Sequence, residues 1–154
     1  MRLLLITNNQ DLVYVLNMLL LEKSAENKCI LSDFNVQNIK SHKEEFEELG
    51  ACIMFSDREE KFTVQTVSVL SNIGGYLTAA KVPIFTNLSF INNGNIFSDE
   101  LVKTVCNIDQ LMESVEKCYS KLNREAKHRQ ARRKLFLKGI PFTPDCFGTY
   151  IEKI

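Results

Sequence analysis

The sequence has no tryptophan, and its 154 residues include only three prolines, six glycines and two histidines. It also has no excess charge of either sign, since 19 Lys and Arg balance 19 Asp and Glu. The electrostatic field of the whole chain therefore does not point to a nucleic acid or a membrane surface. No window approaches the roughly 20 apolar residues that cross a bilayer. The apolar start, Met1–Leu5, is too short for the core of a signal peptide.

Five cysteines are widely spaced, and none forms a Cys-x-x-Cys pair. An odd number without disulfide or zinc spacing is typical of a reducing compartment, so we predict a cytoplasmic protein. Cys52 and Cys106 lie in apolar runs, and we expect both to be buried as small hydrophobic residues. His42 and His128 have no partner at metal-ligand spacing. We predict no metal site and no other cofactor.

Short apolar runs alternate with segments of helical periodicity along the first 122 residues. Such alternation predicts a parallel sheet covered by helices on both faces. We therefore predict an α/β fold, a flavodoxin-like three-layer sandwich with a five-stranded parallel sheet, followed by short C-terminal helices. The predicted strands are 2–7, 28–34, 52–55, 83–86 and 102–106, and the predicted helices are 11–23, 38–49 with Gly50 as C-terminal cap, 63–80, 109–122 and 131–137.

Polar residues follow several of these strands, and the unit from Ala51 to Asn87 shows the pattern best. In open parallel sheets, ligands bind at the carboxyl ends of the strands. The Asn and Thr side chains there either bind a small polar ligand through neutral donors and acceptors or close their own turns. The candidate ligand-binding residues are Thr7, Asn8, Asn9, Asp57, Arg58, Asn72, Thr86 and Asn87. No residue qualifies as catalytic.

The C-terminal part is strongly basic. Between Lys121 and Lys138, eight Lys and Arg residues accompany one acid, Glu125, which leaves the rest of the chain with seven net negative charges. No aromatic residues are interleaved between Arg124 and Lys134 for base stacking, so an acidic partner, the chain's own acidic body or a second copy of the chain is favoured over a nucleic acid. We divide the chain into 1–122, the α/β domain, and 123–154, a basic helical tail. The candidate partner-binding residues are Arg124, Lys127, Arg129, Arg132, Arg133 and Lys134.

The stretch NIGGYLTAAKVPIF, residues 72–85, resembles the nucleoside 2-deoxyribosyltransferase-like and TIR-like group of flavodoxin-fold domains. In that group an acid ends the third strand, as Asp57 does here, and the following helix carries a motif that Ile73-Gly74 matches. The family's catalytic Glu falls at Asn72, and an amide is no carboxylate nucleophile. The resemblance therefore implies a degenerate member that binds or assembles. Residual cleavage of a glycosidic bond would need another carboxylate, Asp33 or Glu59.

Two further resemblances concern signalling proteins. Residues 131–154, ARRKLFLKGIPFTPDCFGTYIEKI, resemble the start of an ankyrin array, which implies that the chain belongs to a longer repeat protein or has lost its repeats. Asp57 and Thr86 resemble the phosphoacceptor and the Thr/Ser position of a receiver domain. Asn8 and Asn9 stand where a receiver needs acids for magnesium.

These observations predict a non-catalytic interaction or sensory module of a cytoplasmic signalling or scaffold protein. An alternative is a domain that binds a nucleoside-like or NAD-like ligand, or an enzyme of the deoxyribosyltransferase and TIR-like group. A third is a degenerate receiver-like domain. We expect a protein partner or self-association through the C-terminal tail, because its apolar and aromatic residues exceed what one small domain covers.

Overall fold

A five-stranded, all-parallel sheet forms the centre of the molecule, in the order β2-β1-β3-β4-β5. The computed structural model describes residues 1–57, 62–92 and 101–137. The strand order β2-β1-β3-β4-β5 is that of flavodoxin-like folds, so the predicted α/β class and its five parallel strands are confirmed. The strands are β1 Arg2–Thr7, β2 Lys28–Ser32, β3 Leu49–Phe55, β4 Ile84–Thr86 and β5 Val102–Thr104; the helices are α1 Gln10–Lys23, α2 Val36–Ser41, α3 Val64–Ala79, α4 Ser89–Asn92 and α5 Ile108–Leu137.

The central strands are apolar on both faces because helices cover both sides of the sheet. In β1, Leu4 and Ile6 pack into a core shared with α2 and α3, whereas Leu3 and Leu5 pack on the other face with α1 and α5. All four side chains are at most 1% exposed. Side chains alternate between the two faces of a strand, so a continuous apolar run in the sequence becomes two separate cores.

The predicted helix over 38–49 is wrong at both ends. The Asn35 side chain accepts the backbone N–H of Gln37, so α2 begins at Val36. The helix ends at Ser41, and Lys43–Glu48 form a tighter 3-10 helix. Gly50 is not a helix cap but lies in β3.

Pairing with the first strand explains where β3 begins. Leu49 is the register partner of Arg2 in β1, and Phe46 and Leu49 are buried, so the chain enters the sheet sooner than its helical periodicity suggests. A Cβ at Gly50 would collide with the Met1 side chain. The glycine therefore makes room for the start of the chain.

Helix α5 is the longest element, with 30 continuous residues, which is about 45 Å at 1.5 Å per residue. The separate helix predicted over 131–137 is instead its last two turns, because the sequence has no proline or glycine from 108 to 137. The division predicted between residues 122 and 123 falls inside this helix. The predicted ankyrin-like unit after Leu137 lies outside the described residues.

A stripe of buried side chains holds α5 against the sheet, and the last member that the structure describes is an arginine. Tyr119, within this stripe, accepts a hydrogen bond from Asn27 Nδ2 (2.7 Å), and the Asn27 side chain accepts from the N-terminal ammonium (3.0 Å). The stripe consists of Leu111, Val115, Tyr119, Leu122, Ala126 and Arg129.

No helix in the described ranges is long and apolar enough to cross a membrane.

Candidate functional site

A cleft of about 890 Å³ opens at the carboxyl-terminal edge of the sheet, where ligand sites of parallel sheets lie. It is bordered by the turn after β1, the end of β3 and the starts of α4 and α5. Asp57 lies beside the junction of β1 and β3, which is the point where the strand order reverses. We call this feature the Asp57 cleft; Asn9, Phe62, Asn87, Phe90 and Cys106 also line it.

The turn after β1 is fixed by its own polar side chains. Thr7 is buried, and its Oγ1 accepts the backbone N–H of Asn9 (3.1 Å). Asn9 is the N-cap of α1, since its Oδ1 accepts the backbone N–H of Leu12 (2.9 Å). The same side chain donates from Nδ2 to Asp57 Oδ2 (2.6 Å). Asn9 therefore joins the start of α1 to the end of β3.

The next turn is fixed in the same way. Asn87 Oδ1 accepts the backbone N–H of Ser56 (3.0 Å), and Asn87 Nδ2 donates to the Ser56 carbonyl. Thr86 is fully buried, and its Oγ1 accepts the N–H of Leu88 (3.0 Å). Of the two roles that the sequence left open, these Thr and Asn residues take the turn-closing one. Their bonds hold the strand ends in register and so give the cleft a fixed shape.

Asp57 is one of two carboxylates that line the cleft; the other is Asp109, in the first turn of α5. The Asp57 side chain is exposed, and the short bond from Asn9 orients it. A carboxylate has lone pairs beyond the one that Asn9 uses, so it can accept hydrogen bonds from a ligand's hydroxyl or amine groups. Asn8 is exposed and lines a smaller depression next to Asp57 with Asp11. Where a receiver would hold two acids, the structure has an amide that donates to Asp57.

Sequence reasoning missed the aromatic wall of the cleft. Phe62 and Phe90 meet edge to face with ring centroids 5.7 Å apart, and Phe34 packs on Phe62 at 5.0 Å. Both cleft residues are partly buried and pack against the core. The sequence does place Phe62 after the loop that follows β3, and Phe90 shortly after β4. An isolated aromatic residue is more often part of the core, so neither position indicated a site.

The two cysteines that we expected to be buried behave differently. Cys52 is fully buried in β3 as predicted, and burial raises the pKa of its thiol. Cys106 is exposed and lines the Asp57 cleft, because β5 ends at Thr104 instead of continuing to residue 106. Its backbone N–H is bound by the Gln110 side chain (2.6 Å) at the start of α5.

Asn72 is not brought to the cleft. It is exposed on α3, because Leu70, Ile73 and Leu77 occupy the face that packs on the sheet. The position that matches the family's catalytic Glu therefore does not line the cleft with Asp57. Asp33 instead accepts from the Asn38 side chain beside α2. Arg58 and Glu59 lie outside the described residues.

The basic residues of α5 divide into two groups. Arg129 is only 7% exposed; its guanidinium donates to the carbonyls of Leu49 (2.9 Å) and Lys81 (3.2 Å). It therefore fastens α5 to the sheet and is too buried to form part of a surface that docks a protein. The others are exposed or half-buried, and we call them the α5 basic surface: Arg124, Lys127, Arg132, Arg133 and Lys134.

Within the described ranges, no three His, Cys, Asp or Glu side chains are placed to hold a metal ion. Comparison of the chain with protein-family models, curated proteins and solved structures gives no match in any of the three. The resemblances of the sequence therefore stay predictions, and function must be argued from the geometry of the chain itself.

Proposed function

We propose that the chain is a non-catalytic interaction module whose α5 basic surface binds the acidic surface of a protein partner. The observation that carries the proposal is that the basic residues near the end of α5 lie outside its buried stripe. Arg129 is the last buried side chain among those that the structure describes on α5, and the side chains of residues 130–134, up to about 7.5 Å further along the helix, are exposed or half-buried.

Charge favours a partner of this kind. The exposed residues Arg124, Lys127 and Lys134 lie along the helix outside its buried stripe. The helix itself is held in place by Tyr119 and Arg129, so the charges stand on a rigid element. Complementary charge speeds encounter and fixes orientation between proteins. A second copy also fits, because the rest of the chain carries seven net negative charges.

The polar residues of the sheet edge fit binding better than catalysis. Asn87 and Thr86 use their side chains to hold backbone groups, and Asn9 both caps α1 and binds Asp57. Two carboxylates, Asp57 and Asp109, line the cleft, but no His, Lys or Arg among the described residues does. The described hydrogen-bond partner of Asp57 is the Asn9 amide, which cannot relay a proton.

The proposal is tested with fluorescence anisotropy, using labelled poly-L-glutamate as an acidic probe and the intact chain. We expect binding that weakens as salt is raised, because exposed charges are screened. The triple variant Arg124→Glu, Lys127→Glu and Lys134→Glu should abolish it. The matched control reverses three exposed lysines elsewhere, Lys28→Glu, Lys40→Glu and Lys43→Glu.

The two triple variants change net charge equally, so they separate a local surface from a general charge effect. Equal loss of binding in both, or no binding by the native chain at low salt, would refute the proposal. Sedimentation of the native chain over a range of concentrations tells whether the acidic partner is a second copy. Self-association lost in the α5 triple variant alone would identify it as such.

A second candidate function is supported by the Asp57 cleft. Phe62 and Phe90 offer aromatic surface for a flat ring, and Asp57 offers acceptors for hydroxyl groups on the same cleft. A nucleoside or an NAD-like ligand has both groups. The size of the cleft lies within the range of small-molecule sites, roughly 300–1,000 Å³.

A thermal-shift screen with nucleosides, nucleotides and NAD tests this second candidate. Ligand at about 100 times its dissociation constant stabilises the fold by roughly 2.7 kcal/mol. We expect a shift that Asp57→Ala removes and that Asn72→Ala, outside the cleft, retains. A shift that survives Asp57→Ala would place the ligand elsewhere, and no shift with any compound would reject this candidate.

A further inference from the structure

A second cavity, of about 340 Å³, lies at the opposite, amino-terminal edge of the sheet. It is formed by the turn between α3 and β4, the edge strand β5 and one face of α5. Five of its lining residues are Lys or Arg, and a histidine adds a sixth basic side chain, whereas Glu125 is the one acid among the described residues that line it. We call it the basic pocket; its basic residues are Lys81, Lys103, Lys121, His128, Arg129 and Arg132.

The spacing on α5 explains the concentration of charge. Successive pocket residues of this part of α5 are one, three or four positions apart, so they share one face of the helix. They are Lys121, Glu125, His128, Arg129 and Arg132. Like charges at such spacing repel each other. Among the described residues of this pocket, only Glu125 offsets the repulsion.

Arg129 is the buried member of the group. Its guanidinium is hydrogen-bonded to two backbone carbonyls but forms no ion pair among the described residues. Burial lowers the pKa of this guanidinium, an effect that Glu125 opposes and Arg132 reinforces. Carbonyl dipoles do not cancel a full charge, and a guanidinium has more N–H donors than these two carbonyls use. The pocket thus presents a buried cation with donors to spare.

Lys81 occupies an unusual backbone conformation at the rim. Its φ is +62°, the left-handed region that favours glycine. The backbone N–H of Val82 binds the Leu77 carbonyl and that of Lys81 binds the Thr78 carbonyl, which makes Lys81 the C′ residue of a Schellman motif. Glycine is the usual residue at C′. A lysine there adds a positive charge to the pocket at a cost in backbone strain.

We propose that the basic pocket binds a small phosphorylated molecule through these Lys and Arg side chains. Phosphate oxygens are strong acceptors for guanidinium and ammonium groups, and a doubly charged group matches the excess of cations better than a single carboxylate does. Pro83, Leu101 and Leu122 supply an apolar part of the wall for the organic portion of the ligand. This inference goes beyond the proposed protein docking and uses Lys103 and Lys121, which the α5 basic surface does not include.

Isothermal titration of the intact chain with inorganic pyrophosphate is the test. We expect one site per chain, and about tenfold weaker binding in Lys103→Gln and in Lys121→Gln, since each removes one charge-assisted contact. Lys117→Gln removes the same charge from an exposed position of the same helix, outside both the pocket and the α5 basic surface, and it should retain the native affinity. None of these three side chains is buried, so folding should be preserved.

A second titration with phenyl phosphate and inorganic phosphate separates organic from inorganic ligands. Tighter binding of phenyl phosphate would assign the apolar wall to the ligand's organic portion, and equal binding would assign the site to a free anion. No binding of any probe at millimolar concentration would overturn the proposal. Equal weakening in Lys117→Gln, or binding only to vesicles of anionic lipid, would overturn it too.

Discussion

The two edges of the parallel sheet are built from different kinds of residue and satisfy their polar groups differently. At the carboxyl-terminal edge, Asn9 and Asn87 bind backbone groups and the Asp57 carboxylate, so the polar groups are paired within the fold. At the amino-terminal edge, Lys81, Lys103 and Arg129 gather positive charge in the basic pocket. The first edge carries the carboxylates of Asp57 and Asp109 with no cation in the described lining of its cleft; the second carries more cations than its one described carboxylate, Glu125, offsets.

The contrast shows that the shape of one site and the positive charge of the other come from different residues around the same sheet. Neutral amides and hydroxyls close the turns, so the charge of the Asp57 cleft comes from two carboxylates, Asp57 and Asp109. The long helix α5 brings its basic residues to the amino-terminal edge of the sheet. If ligands bind at both edges, they should differ in charge, and each edge can be altered without changing the other.

The largest effect is expected at Arg129. Arg129→Leu leaves the carbonyls of Leu49 and Lys81 without their donor and should cost about 2–4 kcal/mol of unfolding free energy. Urea unfolding followed by circular dichroism measures it. Arg132→Leu, on the same helix and half-buried, should cost under about 1 kcal/mol. Similar costs for both variants would mean that Arg129 is not the fastening point of α5.

Asn87 should have the next largest effect. Asn87→Ala removes the side chain that binds both backbone groups of Ser56 and should cost about 1–3 kcal/mol. Asn87→Asp keeps the acceptor for the Ser56 N–H but sets a carboxylate oxygen against the Ser56 carbonyl, so it should be at least as destabilising as Asn87→Ala. Thermal unfolding gives the order. An unchanged melting temperature in Asn87→Ala would show that the turn does not depend on this side chain.

A smaller effect is expected at Asn9, where two roles can be separated. Asn9→Ala loses the cap of α1 and the bond to Asp57, and should cost about 1 kcal/mol. Asn9→Ser retains a cap while it removes the donor to Asp57. We expect its urea midpoint to lie close to that of the native chain. If Asn9→Ser is as unstable as Asn9→Ala, the bond to Asp57 is the stabilising one.

The smallest effect has the opposite sign. Lys81→Gly relieves a left-handed backbone conformation and should stabilise the fold by up to about 1 kcal/mol. The same change should weaken pyrophosphate binding, because it removes a cation from the basic pocket. Urea unfolding and titration calorimetry on one preparation measure both. Loss of stability would show that the Lys81 side chain contributes packing that outweighs the strain.

The sequence predicts the sheet well because buried parallel strands leave a strong local signal. Runs such as Arg2–Thr7 are apolar on both faces only if helices cover both sides, and the order of strands and helices then restricts the topology. The residues at which helices and strands begin and end are less predictable. Gly50 looks like a helix cap in the sequence, but strand pairing and the nearby Met1 side chain decide its place, and both are long-range contacts.

The candidate sites are only partly predictable for the same reason. Thr7, Asn9, Thr86 and Asn87 meet at one edge, as strand ends predict, but their hydrogen-bond partners depend on three-dimensional geometry. Phe90 and Cys106 join the cleft through tertiary packing alone. The basic pocket combines Lys81 and Lys103 with α5, and no sequence spacing relates the three elements. The basic segment itself was visible, whereas the burial of Arg129 within it was not.

The most direct test of the interaction module is to map where an acidic chain binds. ¹H–¹⁵N correlation spectra of the intact protein, recorded during titration with poly-L-glutamate, report each backbone amide separately. We predict that shifts concentrate at Arg124, Lys127, Arg132, Arg133 and Lys134, and that the amides of Asn9, Asp57 and Asn87 stay in place. Shifts centred on the Asp57 cleft, or none along α5, would contradict the proposal that this helix is the binding surface.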